Sequence, residues 1–228
     1  MSTSLPRGAL PRAALLAALA VATLAVLPAT ARADAAATTA AAEAGAAKAA
    51  VCTACHGANG NSVNPEWPNL AGQGSAYTTE QLKLFRAGHR NNMVMYPMAV
   101  ALTDEDIRDL AAYFARQTPT GLEADPSTLE LGKRLYRGGD PARGIPSCTG
   151  CHGPNGLGNL TAGYPKLRGQ HATYTLKQLN DYAAGQRYVN VTTGEKTRSR
   201  NGHMMTTVSQ RLTDEEKVAL ANYIQGLR

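Results

Sequence analysis

Two short segments of the chain place cysteines and a histidine at a spacing that suits covalent cofactor attachment. The segments Cys52–His56 and Cys148–His152 both read Cys-x-x-Cys-His. In this pattern the two thiols add to the vinyl groups of a haem, and the adjacent histidine binds its iron. Thiols three positions apart on a helical turn reach neighbouring edges of one ring. The candidate haem-binding residues are Cys52, Cys55, His56, Cys148, Cys151 and His152.

Four cysteines also admit other chemistry, namely two disulfides, a zinc site or a thiol-redox pair. A thiol-redox pair belongs on a strand–helix fold, and the sequence contains no convincing alternating strand. A zinc site would not explain why a neighbouring Pro-x-Leu segment is repeated as well. We therefore favour two covalently bound haem c groups and keep the other three as alternatives.

An internal repeat surrounds the two motifs. The segment Pro68–Gln73 (PNLAGQ) recurs as Pro165–Gln170 (PKLRGQ), 97 positions later. The segment Leu102–Glu105 recurs as Leu212–Glu215, 110 positions later. The larger offset places an insertion in the second repeat, within residues 185–205. Repetition of whole segments indicates two related units rather than one larger domain.

The repeat and its patterning predict an all-α fold of two tandem domains, each wrapped around one haem. A polar stretch with proline and glycine, residues 118–126, predicts a boundary near residue 122, so the domains are residues 34–121 and 122–228. Thr-x-x-acid starts at Thr103 and Thr213 predict helices that end near residues 117 and 227. Further helices are expected near residues 42–53, 75–87, 129–136 and 173–184. We expect residues 35–42 to be disordered.

The second axial ligand of each iron decides between electron transfer and substrate binding, because a strong sixth ligand closes the metal. Aligning the repeats at the offset of 110 pairs Met95 with Met205, and no other methionine is matched in both repeats. We predict these two as the sixth ligands. Met98 in the first repeat, and Met204 or His203 in the second, remain alternatives.

The remaining candidates have supporting roles. A metal-bound histidine usually donates its other ring proton to a carbonyl or carboxylate, and the carbonyls of Pro68 and Pro165 are suitable acceptors. His89 and His171 have no histidine at the equivalent position of the other repeat. We predict that both are surface residues rather than ligands.

The first 33 residues have the layout of a secretory signal peptide. Arg7 and Arg12 precede an apolar run over residues 13–27, and the small-residue ending Ala31–Ala33 follows Pro28. The run is shorter than the roughly 20 residues that a membrane span needs. Cleavage is predicted after Ala33, with cleavage after Ala31 or a retained anchor as alternatives.

The charge of the remaining chain excludes one class of partner. The formal net charge of +6 falls to +3 without residues 1–33, since 20 Lys and Arg then face 17 Asp and Glu. No dense Lys/Arg stripe with interleaved aromatics is present, so nucleic-acid binding is not expected. A modest positive surface could steer docking onto acidic partners.

Taken together, these segments resemble the cytochrome c4 family of periplasmic dihaem cytochromes. The most specific matches are the paired Cys-x-x-Cys-His-Gly motifs, Tyr164–His171 (YPKLRGQH) and Asn222–Leu227 (NYIQGL). The resemblance implies two class I cytochrome c domains with His–Met ligation of each iron. The implied ligand pairs are His56 with Met95 and His152 with Met205.

The resemblance also concerns helix packing. It implies that Gly45 and Gly132 let the N-terminal helices cross the C-terminal helices near Tyr113 and Tyr223, because the absent side chain permits close approach.

The implied function is electron transfer in a periplasmic respiratory chain, and not an enzyme activity. The implied donor is a membrane cytochrome bc complex and the implied acceptor is a haem-copper terminal oxidase. The alternatives are a dihaem oxidoreductase such as a peroxidase, and a subunit that passes electrons into another periplasmic enzyme. The oligomeric state and any peripheral association with the membrane stay open.

The sequence also predicts that the two haems differ. Gly88 and Met95 are seven positions apart, whereas Gly185 and Met205 are twenty apart. Because solvent access and hydrogen bonding tune haem potential, we expect two distinguishable reduction potentials.

Overall fold

The computed structural model describes Met1 and residues 29–190, 192–196, 199 and 201–228. Residues 2–28 of the predicted signal peptide lie outside these residues, and its cleavage after Ala33 stays a prediction. Residues 36–228 form one compact unit. Among the described residues, none of the helices combines the length and apolar character that crossing a membrane requires.

The described residues are mainly helical, which confirms the predicted all-α class. Their α-helices are α1 (Ala29–Lys48), α2 (Ala50–His56), α3 (Ser75–Arg86), α4 (Met95–Ala99), α5 (Asp104–Ala115), α6 (Leu129–Gly138), α7 (Thr149–His152), α8 (Ala172–Ala183), α9 (Gly202–Ser209) and α10 (Asp214–Gln225). Extended pairing within the described residues is limited to three isolated β-bridges. The expected disorder at residues 35–42 is wrong: these residues continue α1, since alanine has the highest helix propensity.

Capping boxes begin the last helix of each repeat, as predicted. The Thr103 hydroxyl accepts from the Asp106 amide at 3.1 Å, and the Asp106 carboxylate accepts from the Thr103 amide at 2.9 Å. Thr213 and Glu216 form the same pair of bonds at 3.2 and 2.9 Å. These bonds satisfy backbone N–H groups that have no partner within the helix.

Two glycines fix the helix crossing in each repeat. A Cβ added to Gly45 of α1 would lie 2.1 Å from the Asp109 carbonyl oxygen of α5. One added to Gly132 of α6 would lie 2.2 Å from the Ala219 carbonyl oxygen of α10. Both distances are far below van der Waals contact. The predicted close crossing is therefore confirmed in both repeats.

Each repeat has its own hydrophobic core, and each core extends to a Cys-x-x-Cys-His motif. The first cluster contains Ala49, Leu110 and Phe114, packed against Cys52, Leu70, Leu82, Leu102 and Tyr113. The second contains Leu135, Tyr136, Ile145, Leu179, Leu212, Leu220, Tyr223, Ile224 and Leu227, packed against Leu129, Leu131, Cys148, Leu167 and Met205. The second repeat thus buries more apolar side chains around its motif.

The stretch between the repeats is tied to both of them. The Asn61 carboxamide accepts from the Thr120 amide at 2.8 Å and donates to the Thr118 carbonyl at 3.1 Å. Further along, the Asn222 carboxamide accepts from the Asp125 amide at 2.7 Å. The connection is therefore held to the first repeat before residue 121 and to the second after it. The boundary near residue 122 stays a prediction.

The two repeats meet through reciprocal contacts. The Arg90 guanidinium donates to the Tyr174 hydroxyl at 3.0 Å, and the Arg187 guanidinium donates to the Tyr77 hydroxyl at 2.7 Å. Arg187 lies 97 positions after Arg90, and Tyr174 lies 97 positions after Tyr77, so equivalent residues of the two repeats make the two contacts. The contact resembles the self-complementary interface of a two-fold dimer, built within one chain.

Candidate haem centres

The two cysteine motifs lie on short helical turns, α2 and α7, that end at a glycine. Gly57 and Gly153 follow the histidines with φ of 74° and 77°, a conformation that glycine adopts without strain. A Cβ on Gly57 would also lie 1.9 Å from the Asn61 carbonyl oxygen. The glycine therefore lets the chain turn away directly after the histidine.

Both motif histidines are buried and held in one orientation. His56 is 8% exposed and His152 is 6% exposed. Each ring Nδ1 lies 2.9 Å from a proline carbonyl oxygen, that of Pro68 for His56 and that of Pro165 for His152. The predicted supporting contact is confirmed in both repeats. Because a carbonyl only accepts, Nδ1 carries the proton and Nε2 is left as the nitrogen that can bind iron.

Burial keeps these imidazoles in the form that binds metal. Removal from water lowers the pKa of both His56 and His152, although the hydrogen bonds to the proline carbonyls act in the opposite direction. Neutral imidazole is the ligand form.

The cysteines fit thioether attachment better than the alternatives. All four are free of disulfides. Burial raises the pKa of the Cys52 thiol and raises that of Cys148 to about 12, whereas a thiol-redox pair needs a lowered pKa. Within the described part of the chain, no three His, Cys, Asp or Glu side chains converge, so a closed zinc site lacks its ligands.

In the first repeat the structure favours Met95 among the candidate methionines. Met95 begins α4 and is half-buried, and its amide donates to the Asn92 side-chain oxygen at 2.9 Å. Met93 and Met98 are 78% and 42% exposed. Ligation of iron by Met95 stays a prediction, supported by the lower exposure of its side chain.

In the second repeat, core contact favours Met205. Met205 lies on α9 and packs against the second hydrophobic cluster, while His203 on the same helix is exposed. Met204 is half-buried like Met205, but it is not part of that packing. Met205 remains the predicted ligand.

The surface position predicted for His171 is wrong. This residue is 6% exposed, and its Nε2 donates to the Ser62 carbonyl of the first repeat at 2.9 Å. His171 is buried because it lies where the repeats meet. Comparison of the repeats could not reveal this, since its counterpart is Gly74.

The structure also reveals an insertion that the sequence comparison missed. Gly45 and Cys52 are seven positions apart, whereas Gly132 and Cys148 are sixteen apart. The added residues turn back through a bridge between Asp140 and Ile145, and Ile145 is 3% exposed in the core beside Cys148. Measuring the glycine-to-cysteine spacing in both repeats would have found it.

The insertion predicted within residues 185–205 is present, and its described residues form ordered contacts. Val189 and Lys196 form a bridge, and the Asn190 amide donates to the Glu195 carbonyl at 2.8 Å. Tyr188 is buried, and a Cβ on Gly202 would lie 2.2 Å from its ring. The second repeat thus has two added segments, one before its motif and one before Met205.

Comparison with known proteins agrees with these centres. The Cytochrome c family model matches residues 42–117 and 129–228. Cytochrome c4 from Azotobacter vinelandii is 44% identical over 187 residues, covering 78% of this chain and 85% of the relative. The "Thiosulfate dehydrogenase electron acceptor" of Thiomonas intermedia is 37% identical, covering 77% of each chain. The crystal structure of reduced recombinant cytochrome c4 from Pseudomonas stutzeri matches with a TM-score of 0.74 and 44% identity, covering 82% of this chain and 98% of that one.

These matches extend over both repeats, and their family carries two haem c groups and transfers electrons. The free thiols and the buried neutral imidazoles fit that cofactor. The chain belongs to the cytochrome c4 family, with two cytochrome c domains that each bind one haem c.

Proposed function

We propose that this protein carries electrons in the periplasm from a membrane cytochrome bc complex to a haem-copper terminal oxidase. Haem c supplies the one-electron change between ferric and ferrous iron. The observation that carries the proposal is that each repeat offers one buried neutral imidazole and one sheltered methionine. The proposed ligand pairs are His56 with Met95 and His152 with Met205.

Closed ligation argues for a carrier rather than an oxidoreductase. A peroxidase needs one iron with an open or displaceable position. Met205 is packed into the core of its repeat, and Met95 is fixed through its backbone at the start of α4. Neither methionine is held in a way that favours displacement by a substrate.

The charge distribution supports docking of an acidic partner on the second repeat. Residues 34–121 contain 6 Lys and Arg against 8 Asp and Glu, while residues 122–228 contain 14 against 9. Exposed cations of α6 include Lys133, Arg134 and Arg137. A surface of one charge speeds encounter with a partner of the opposite charge.

A second candidate function has its own support. The Thiomonas relative is named as an electron acceptor of thiosulfate dehydrogenase, and the likeness covers 77% of each chain. The same two-haem carrier could therefore receive electrons from thiosulfate oxidation instead of from a bc complex.

Spectroscopy of the purified holoprotein tests the ligation. We expect a methionine–iron charge-transfer band from both ferric haems and no binding of carbon monoxide by the ferrous protein. Rapid carbon monoxide binding at one haem would contradict the carrier proposal and favour the oxidoreductase.

Reconstitution tests the partners. Ferrous protein is mixed with membranes containing a haem-copper oxidase, and ferric protein with a bc complex and quinol or with thiosulfate dehydrogenase and thiosulfate. We expect fast oxidation in the first mixture and fast reduction by the bc complex, both slowed by salt. Fast reduction only by thiosulfate dehydrogenase would replace the proposed donor. Failure of oxidation by the oxidase would remove the proposed acceptor.

A further inference from the structure

The peptide that holds the first motif histidine is itself held by the second repeat. The Asn69 amide donates to the Gln170 side-chain oxygen at 2.8 Å, and the Gln170 side-chain nitrogen donates to the Asn69 carbonyl at 3.0 Å. Gln170 thereby binds both backbone groups of the residue that follows Pro68. Asn69 is buried, so this pairing is shielded from water.

The first repeat makes the equivalent contact with the backbone of the second. The Lys166 amide donates to the Gln73 side-chain oxygen at 2.9 Å, and the Gln73 side-chain nitrogen donates to the Lys166 carbonyl at 2.9 Å. Lys166 follows Pro165 as Asn69 follows Pro68. Gln73 and Gln170 are the last residues of the two repeated Pro-x-Leu-x-Gly-Gln segments.

A single peptide group links each glutamine to a histidine of the other repeat. The Pro68 carbonyl and the Asn69 N–H belong to one peptide group. The carbonyl accepts from His56 Nδ1 at 2.9 Å, and the N–H donates to Gln170. Hydrogen bonds in such a chain polarise one another, so donation to Gln170 makes the Pro68 oxygen a stronger acceptor. A stronger acceptor on Nδ1 makes the imidazole a more basic ligand through Nε2.

Helix N-termini fix the two glutamines. The Gln170 oxygen also accepts from the His171 amide at 3.1 Å, just before α8. The Gln73 oxygen accepts from the Gly74 amide at 2.9 Å, just before α3. Each glutamine is thus positioned by a helix of its own repeat while it binds the backbone of the other.

We propose that Gln170 and Gln73 are positioning residues that act across the repeats, Gln170 on His56 and Gln73 on His152. Each repeat then tunes the reduction potential of the haem in the other. This inference rests on the proposed ligation of iron by His56 and His152. A more basic histidine stabilises ferric iron, so loss of a glutamine raises the potential of the haem in the opposite repeat.

The test compares Gln170→Leu with Gln73→Leu in the full holoprotein. At a fixed ambient potential, we expect Gln170→Leu to lower the ferric-to-ferrous ratio of the first haem about threefold, roughly 28 mV at 59 mV per tenfold. The second haem should stay unchanged, and Gln73→Leu should give the reverse pattern. The methyl resonances of the axial methionines assign each potential to its haem.

A second readout follows the hydrogen bond directly. In protein labelled with ¹⁵N histidine, the Nδ1–H proton of His56 should move upfield in Gln170→Leu, while that of His152 stays in place. Gln170→Glu keeps the acceptor oxygen and adds charge, so it should lower the potential of the first haem more than that of the second. This variant keeps the test decisive where Gln170→Leu fails to fold.

Tyr174→Phe is the matched control. It removes the bond between Arg90 and Tyr174 across the repeats but touches neither proline peptide. We expect both potentials to stay as in the unmodified protein. The inference is overturned if Gln170→Leu shifts the reduction potentials of both haems equally or shifts only that of the second haem. It is also overturned if neither potential shifts while both methionine–iron bands persist. Absence of those bands in the unmodified protein would instead defeat the proposed ligation.

Discussion

The two repeats differ in length at two places. The second repeat has nine more positions between its crossing glycine and its first motif cysteine, and thirteen more between the glycine after its third helix and the predicted methionine ligand. Elsewhere the repeats keep the same parts, namely the glycine crossing, the capping box and the proline carbonyl on the histidine. In the sequence, the additions therefore precede the first motif cysteine and the predicted methionine ligand, and they leave these shared contacts intact. A frame fixed by backbone contacts can hold a haem while its surroundings vary.

The added residues also take over contacts that the first repeat makes in another way. In the first repeat, Lys48 of α1 binds the capping-box acid Asp106 at 2.8 Å. In the second, Arg143 of the added segment binds the capping-box acid Glu216. Tyr136, which is fully buried, adds a hydroxyl bond to the Gly153 carbonyl at 2.8 Å, at the end of the motif helix. The end of the second motif helix is thus bonded to a buried side chain of α6.

The largest expected effect comes from the methionines, and it tests whether both repeats bind iron alike. Met95→Ala and Met205→Ala should each remove half of the methionine–iron charge-transfer absorbance and let the opened ferrous haem bind carbon monoxide. The reason is that thioether sulfur is the predicted sixth ligand in each repeat. The intensity of the methionine–iron charge-transfer band and a titration of the ferrous protein with carbon monoxide measure the outcome.

Neighbouring methionines provide the controls for this comparison. Met98→Ala and Met204→Ala should leave the band at full intensity. Loss of half the band in Met204→Ala, with none in Met205→Ala, would move the ligand of the second repeat by one residue and break the alignment at the offset of 110.

The crossing glycines should give a smaller and nearly equal effect, because the frame is shared. Gly45→Ala and Gly132→Ala force a methyl group to within about 2 Å of a carbonyl oxygen, so each should lower the free energy of unfolding by about 3 kcal/mol. Denaturant unfolding of the holoproteins measures this. Gly138→Ala, also on α6, meets nothing within 4 Å and should be neutral or slightly stabilising. A large difference in the free energy of unfolding between Gly45→Ala and Gly132→Ala would show that the two helix crossings are not equally tight.

Much of this structure could be predicted from spacing within the sequence. The repeated motifs predict the residues that bind haem, and the Thr-x-x-acid pattern predicts the starts of α5 and α10 to within a residue. The preference of a metal-bound histidine for a carbonyl partner predicts the contacts with the proline carbonyls. Such features depend on residues close together in the sequence, or on a chemical requirement that only a few kinds of partner can meet.

Contacts between the repeats could not be predicted in this way. His171 is buried by Ser62 of the other repeat, and Gln170 binds Asn69, roughly 100 positions away. Nothing near these residues in the sequence indicates a partner, because a polar side chain beside a helix start is equally suited to solvent. The disorder expected at residues 35–42 is wrong for another reason: an alanine-rich segment after a predicted signal peptide resembles a disordered tail, but the high helix propensity of alanine continues α1 through it.

The smallest expected effect concerns acid, and it compares the two capping-box acids. Hydrogen bonding to Lys48 lowers the pKa of Asp106, and hydrogen bonding to Arg143 lowers the pKa of Glu216. A carboxyl whose pKa is lower in the folded state than in the unfolded state adds stability above its ordinary pKa of about 4, and that stability is lost as the pH falls through the lowered value. Both pairs lie at the surface, so screening keeps the effect small. The pKa of Asp106 is lowered further than that of Glu216, but the Asp106 side chain is 26% exposed and the Glu216 side chain only 12% exposed. Because solvent screens the more exposed pair more strongly, we expect the contribution from the second repeat to be the larger.

Thermal unfolding between pH 5 and pH 3 checks this order, with Glu216→Gln and Asp106→Asn as the variants. Each variant should lose less stability on acidification than the unmodified protein, because an amide has no proton to gain. The reduction in acid sensitivity should be greater for Glu216→Gln. If the unfolding temperature falls equally with pH in all three proteins, Lys48 and Arg143 do not stabilise the ionised carboxylates in the folded state. A greater reduction for Asp106→Asn would mean that Lys48, which also binds Asp109 at 2.6 Å, secures the first repeat more firmly than the added segment secures the second.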